Sequence, residues 1–255
     1  LKPALTLSVI VITKNEATHI GDCLQSVAWA DEIVVLDSGS LDDTVNICRT
    51  YTDKVYSTDW QGFGIQKQRA LDKATGDWVL SIDADEIVTD ALKAEIQQEI
   101  QASDIKGFEI PRLSSYCGRQ MRHGGWYPDY VLRLFRREAG HFTDAVVHEM
   151  VIVDGQIKRL KHPFLHDAFV DFEEVLHKVN HYSSLGAKLL HEKGARSSLP
   201  KAIMKGFWTF IRTYFLKAAF LDRQQGLMLA ISNAEGAYYK YVKLWELDNL
   251  KNLRK

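Results

Sequence analysis

Over its first hundred residues the chain alternates short apolar runs with segments of helical periodicity. Residues 5–13 (LTLSVIVIT), 32–37 (EIVVLD) and 78–85 (WVLSIDAD) are apolar on both faces, which predicts strands buried on both sides, with a shorter strand at 53–57. Between them, residues 17–29 place Ile20, Leu24 and Val27 at helical spacing, and 44–51, 64–74 and 91–101 read as further helices. Doubly buried strands separated by helices imply an α/β fold, a mostly parallel sheet flanked by helices.

Beyond residue 101 the pattern loosens. A strand at 107–111 leads into an Arg- and Gly-rich loop, followed by strands at 131–137 and 146–153. From about residue 171 the chain is helical, with Val175, Leu176, Val179, Tyr182 and Leu189 on one face and a stop at Gly194. Residues 201–221 place Ile203, Met204, Phe207, Trp208, Ile211, Tyr214, Phe215 and Ala218 on one face and Lys201, Lys205 and Arg212 on the other. Such a segment either packs on the preceding domain or lies in a lipid interface, where each cation near an anionic surface adds about 1 kcal/mol.

In parallel sheets, ligands bind beyond the carboxyl ends of the strands. Each early strand ends there in polar residues: TKNE (13–16), DSGSLDDT (37–44) and DADE (83–86). Asp83 and Asp85, read as two carboxylates on one strand end, make a hard-oxygen site for Mg²⁺ or Mn²⁺, cations held by one or two carboxylates plus substrate phosphates. Asp37 can accept from a base imide or a ribose hydroxyl, and Gly39 permits close backbone approach. Ser40, Asp42 or Asp43 can equally cap the next helix.

Composition narrows the class. The 255 residues are 46% apolar and 25% charged with net charge −1, which excludes a disordered chain and a general nucleic-acid coat. That balance is the sum of opposed blocks: residues 200–255 carry ten Lys/Arg against four Asp/Glu, and the remainder 22 against 29. Cys23, Cys48 and Cys117 show no C-x-x-C pair, so a disulfide framework or structural zinc is not indicated and a reducing compartment is the default. The apolar run near residue 5 reads as a strand rather than a secretory signal. The longest uncharged stretch is 11 residues, against about 20 for a spanning helix, so membrane contact is expected to be peripheral.

The ordered set TKNE, DSGSLDDT, KQRALDKATGDW and LSIDADE resembles the nucleotide-sugar half of the family-2 inverting glycosyltransferases, which have the GT-A fold. That resemblance implies a UDP-sugar donor bound by Thr13, Asn15, Glu16, Asp37, Gly39, Lys67, Asp83 and Ala84, with Asp85 the principal metal ligand and Asp83 reaching ribose or metal. Lys67 stands where many relatives have Arg and lacks the planar fork. The second half, GFEIPRLSSYCGRQMRHGGWYPDYVLRLFRR, VHEMVIVDG and RLKHPFLHDAF, resembles the lipopolysaccharide inner-core β-1,4-glucosyltransferases that act on heptose.

An inverting transfer requires a general base on the acceptor hydroxyl. Asp129 in HGGWYPD is favoured, Glu149 is the alternative, and Glu109 is a further carboxylate. Trp126 and Tyr127 could stack on a sugar or anchor a loop. His148 could complete the metal shell, and His166 is a weaker candidate. Arg112, Arg119, Arg122, Arg133, Arg136 and Arg137 suit an acceptor rich in carboxylate and phosphate, with Arg112 and Arg122 the assigned contacts.

The expected organisation is a GT-A domain over 1–170, with a nucleotide-sugar-binding half to residue 100 and an acceptor half after it. A basic helical extension over 171–255 would dock on the cytoplasmic face of the bacterial inner membrane, with Lys240, Lys243, Lys251, Arg254 and Lys255 reinforcing it. The expected reaction moves glucose from UDP-glucose to an inner-core heptose. The rivals are transfer to polyprenyl phosphate and a non-catalytic nucleotide-sugar-binding membrane scaffold.

Overall fold

A computed structural model describes residues 4–102, 104–143 and 150–253. The chain divides into two compact units, Leu1–Arg112 with Asp129–His166, and Leu113–Pro128 with Asp167–Lys255. The loop after the sixth strand therefore groups with the C-terminal helices.

The sheet unit opens with β1 (Leu7–Thr13), α1 (Ile20–Ser26), β2 (Glu32–Asp37), α2 (Thr44–Arg49), β3 (Val55–Ser57), α3 (Phe63–Leu71) and β4 (Trp78–Asp83). β5 (Glu86–Val88) and α4 (Asp90–Ala102) follow, then β6 (Gly107–Tyr116), whose last residues pass into the helical unit. β7 (Arg119–Gln120) belongs to the helical unit; the chain returns to the sheet unit with β8 (Asp129–Arg136), then β9 (Gly140–Phe142) and β10 (Val151–Val153), which pair as a separate two-stranded sheet, β11 (Ile157–Arg159) and β12 (Phe164–Phe169), whose last residues pass into the helical unit. β3, β2, β1 and β4 are parallel neighbours; β8 joins β4 antiparallel, and β6 joins β8 antiparallel. The fold is the α/β class expected, a sheet flanked by helices: parallel through β3, β2, β1 and β4, antiparallel at β8 and β6, with β11 parallel to β6.

β1 shows why the early apolar runs are continuous. Leu7, Val9 and Val11 pack with Ile20 and Leu24 of α1 and Leu92 and Ile96 of α4, while Ile10 and Ile12 pack on the other face with Ala70 and Leu71 of α3. Both faces are covered, so alternation is lost.

Three elements differ instructively from the sequence expectation. α1 starts at Ile20 rather than residue 17, because the amides of Glu16 and Ala17 donate to Thr44 Oγ1 and Asp42, fixing that stretch to the next turn. β4 ends at Asp83: the Asp83 amide donates to Glu86 Oε2 at 2.8 Å, closing a turn that contains Asp85. Asp83 and Asp85 thus do not share one strand. The expected strand at 146–153 is β10 alone, and residues 144–149, including His148 and Glu149, lie outside the described residues.

The helical unit holds α5 (Phe172–Glu192), α6 (Leu199–Ile211), a π-helical turn at Arg212–Leu216, a 3₁₀ turn at Ala219–Asp222 and α7 (Arg223–Leu253). Asp171 caps α5 by accepting from the Glu174 amide, and Gly194, at φ +73°, follows its end. The uninterrupted helix expected over 201–221 is instead broken, with Ala218 in the left-handed region at φ +54°.

Candidate active site

The ends of β1 and β2 form one cradle in the sheet unit. Both oxygens of the buried Asp37 carboxylate accept from its own turn, Oδ2 from the Gly39 and Ser40 amides at 2.9 and 3.0 Å and Oδ1 from the Ser40 hydroxyl. Asn15, at φ +56°, donates its amide to Ser40 Oγ and accepts from the Leu41 amide, locking the two strand ends together. A Cβ built on Gly39 would meet nothing within 4 Å, so the space over this turn is open. Thr13 is buried, and its hydroxyl has no hydrogen-bond partner among the described residues. Burial raises the Glu16 carboxyl, offset in part by its hydrogen bond to His19.

From this cradle a run of alternating charge crosses the sheet. Lys67 Nζ lies 3.0 Å from Asp83 Oδ1, Arg133 donates to Asp83 Oδ2 and to Glu86 Oε1 (3.1 Å), Arg112 Nη1 lies 4.0 Å from Glu86 Oε1, and Arg112 donates to Asp129 Oδ2 through Nε at 2.9 Å and Nη2 at 2.6 Å. Glu86 is fully buried, and Lys67 and Arg133 nearly so. Burial alone would raise the Asp83 carboxyl, but the Arg133 and Lys67 charges outweigh it and hold it far below the usual carboxylate range. Burial wins at Glu86, which is raised despite Arg133. Buried ions of this kind are tolerable only when paired on all sides.

Asp85 faces elsewhere. β12 pairs antiparallel with β5, setting His166 opposite Glu86, and His166 Nε2 lies 3.4 Å from Asp85 Oδ2. No group of three His, Cys, Asp or Glu side chains is gathered to hold a metal among the described residues. An oxygen and a nitrogen donor, both partly exposed, do suit Mg²⁺ or Mn²⁺ if diphosphate and water supply the remaining positions. Asp83 has both oxygens engaged by cations, so Asp85 and His166 are the pair that fits. Sequence reasoning ranked His166 below His148; its only signal was a histidine next to Asp167 in a short apolar run, and strand pairing supplied the rest.

The residues assigned to the acceptor divide. Arg112 and Asp129 meet as cross-strand partners on β6 and β8. Arg133, Arg136 and Arg137, expected within an anion-reading cluster, have other partners: Arg133 the two carboxylates, Arg136 the Trp78 ring at 4.6 Å, and Arg137 the Gly76 carbonyl at 2.9 Å. Glu109 is bound by Arg159 at 2.7 Å. In the helical unit Trp126 packs on Tyr116 and Phe169, each at 5.7 Å between ring centroids, as a loop anchor does, and Arg122 lies over the Tyr127 ring at 5.7 Å. Ala84 is buried in the core, so only its backbone can meet a ligand.

A buried α/β sheet with polar turns at its strand ends and a carboxylate on the neighbouring antiparallel strand is a frame that can hold a ligand beyond the strand ends. Residues 8–160 match the Glycosyl transferase family 2 pattern, and the chain belongs to that family. It is similar to the lipopolysaccharide core biosynthesis glycosyltransferase LpsC of Rhizobium meliloti (strain 1021), at 31% identity over 98% of this chain and 95% of that protein. It is also similar to the uncharacterized glycosyltransferase RT0209 of Rickettsia typhi, at 30% identity over 94% of this chain and 87% of that one. Among solved structures, S. aureus TarS 1-349 in complex with UDP-GlcNAc aligns at TM-score 0.49 and 17% identity, covering 96% of this chain and 92% of that chain.

Proposed function

We propose that this glycosyltransferase moves glucose from UDP-glucose, with inversion, to a heptose of the lipopolysaccharide inner core at the cytoplasmic face of the bacterial inner membrane. The observation that carries the reading is the likeness to LpsC, a lipopolysaccharide core glycosyltransferase, which runs the length of both chains.

On this reading the donor's uridine lies over the β1 and β2 ends, among Thr13, Asn15, Glu16, Asp37 and Gly39. The unpartnered Thr13 hydroxyl is a polar group such a ligand would satisfy. Lys67 and Asp83 stand toward the ribose, with the Ala84 backbone beside them. Asp85 and His166 would hold Mg²⁺ or Mn²⁺, which when bound offsets the charge of the departing diphosphate. His148 remains an alternative ligand and Glu149 an alternative base.

Asp129 is the general base. Arg112 engages its Oδ2, which orients the carboxylate and leaves Oδ1 to accept the proton of the attacking acceptor hydroxyl. Arg122, Trp126 and Tyr127 line the loop proposed to receive the core saccharide. The basic C-terminal helices meet the anionic lipid surface that carries the acceptor.

The test is a donor screen of the purified full chain against heptose-terminated core saccharide, with product read by mass. One hexose added from UDP-glucose, dependent on Mg²⁺ or Mn²⁺ and lost in Asp85→Ala, is the expected outcome. Addition from another nucleotide sugar alone overturns the donor assignment, and transfer only to a polyprenyl phosphate overturns the acceptor.

A further inference from the structure

Within the helical unit, α6 is packed inside out. α6 buries Ala202 and Gly206, and the following turn buries Thr213, all small residues. Gly206 sits so close to α7 that an added Cβ would lie 3.1 Å from Tyr238 Cβ and 3.2 Å from the Ala234 carbonyl oxygen. Small residues at helix contacts, with large apolar side chains turned outward, are the arrangement of helices in lipid and the reverse of a water-facing amphipathic helix. Met204, Phe207, Trp208, Phe215, Leu216 and Leu221 are 53–66% exposed. The rings of Phe210, Tyr214, Phe215 and Phe220 touch at 5.1–6.4 Å between centroids, making the corner after α6 one aromatic body.

The cations do not oppose this face, as the sequence suggested; the small residues do. At about 100° per residue, Lys201, Lys205 and Arg212 fall within about 40° of one another on the flank of the apolar strip. All three are exposed, and so is Lys217 in the corner after the π turn. A strip of large apolar groups edged by one row of cations matches the depth profile of a lipid leaflet, hydrocarbon beside anionic headgroups. No helix among the described residues is long and apolar enough to cross a membrane.

We infer that α6 and the corner after it are embedded in one leaflet of an anionic bilayer, with Lys201, Lys205, Arg212 and Lys217 at headgroup level. This rests on the membrane reading of the function and replaces surface attraction with insertion. Lys243, expected to reinforce attraction, is instead held by Asn180, Ser183 and Ser184 at 2.8–2.9 Å.

The experiment is flotation of the full chain with phosphatidylcholine vesicles, with and without phosphatidylglycerol, at low salt and at about 1 M NaCl, where screening acts within about 3 Å. Insertion predicts that chain bound to phosphatidylglycerol vesicles stays bound at high salt. The combined variant Phe207→Ser, Trp208→Ser, Phe215→Ser and Leu216→Ser then loses about tenfold or more of its binding at both salts, with its helical circular dichroism intact. Lys201→Gln with Lys205→Gln, Arg212→Gln and Lys217→Gln weakens binding at low salt only. Release of the unaltered chain by salt, undiminished flotation of the serine variant, or a vesicle-free dimer that the serine changes dissolve would each overturn the inference. Transfer to a water-soluble core saccharide, measured on the same proteins, tests the enzymatic reading separately: the serine variant is expected to retain it.

Discussion

The two units of this chain spend their polar and apolar residues in opposite ways. In the sheet unit the apolar residues are inside and the exceptional feature is a run of paired charge, from the buried Lys67, Arg133 and Glu86 out to the part-exposed Asp129, each ion answered by the next. In the helical unit α6 makes its contacts through Ala202 and Gly206, while Phe207 and Trp208 face outward. The first pattern suits a site that must hold charge in a fixed geometry away from water. The second suits a surface whose solvent is not water. Neither is explained by stability alone, since buried ion pairs often stabilise less than apolar replacements of the same shape.

That contrast can be broken from either side. The largest effect is expected at the end of the charge run: Asp129→Asn should lower kcat by about 10²–10⁴-fold while UDP-sugar binding, measured by calorimetry, is retained. Full transfer by this variant would remove the base assignment. Arg133→Gln leaves the fully buried Glu86 facing Arg112 at 4.0 Å and Asp83 with Lys67, so denaturant unfolding should report a loss of about 3–5 kcal/mol. A loss below about 1 kcal/mol would mean that water already reaches the pair.

In the helical unit, Gly206→Val should cost about 1–3 kcal/mol because its side chain has no room against Tyr238 and Ala234. Phe207→Ala, on the exposed side of the same helix, should change vesicle-free stability by no more than about 0.5 kcal/mol. Equal costs at the two positions would erase the inside-out description.

A subtler effect belongs to Glu32 at the start of β2. Burial would raise its carboxyl, but Lys54, Ser8 and Thr75 bind the ionised form and lower it to about 2 from an ordinary 4.5. A depressed folded-state value means stability that is present above the unfolded value and is lost as pH falls toward the folded one. Thermal melts should therefore lose stability between about pH 4.5 and pH 2, and Glu32→Gln should flatten that part of the profile.

Much of the sheet unit was legible in the sequence because its strands are buried on both faces, which leaves continuous apolar runs, and because ligand-facing turns must follow them. TKNE and DSGSLDDT lie together for that reason. The partners within the site were not legible: Asp85 meets His166 only because β12 runs antiparallel to β5, and Arg112 meets Asp129 only through the β6–β8 register. Sequence spacing carries no trace of either pairing. In the helical unit the amphipathic pattern of residues 201–221 was visible, but periodicity reports that two faces differ, not which one turns inward. Ala202 and Gly206 decide that, by allowing an approach that larger residues would block.

Asp222 ties the loop at residues 122–124 to the turn that precedes α7. Its buried carboxylate accepts from the Arg122 and His123 amides at 3.0 and 2.7 Å and lies 3.1 Å from His123 Nδ1, and the Gly124 amide donates to the Lys217 carbonyl at 2.8 Å. The loop and the aromatic corner are therefore one mechanical piece. If that corner is seated in a bilayer and the loop receives a lipid-borne acceptor, as proposed, the loop samples acceptor per unit area rather than per unit volume. Diluting the acceptor with inert lipid at constant total concentration would then slow transfer, and adding more vesicles of the same composition would not speed it once the enzyme is fully bound.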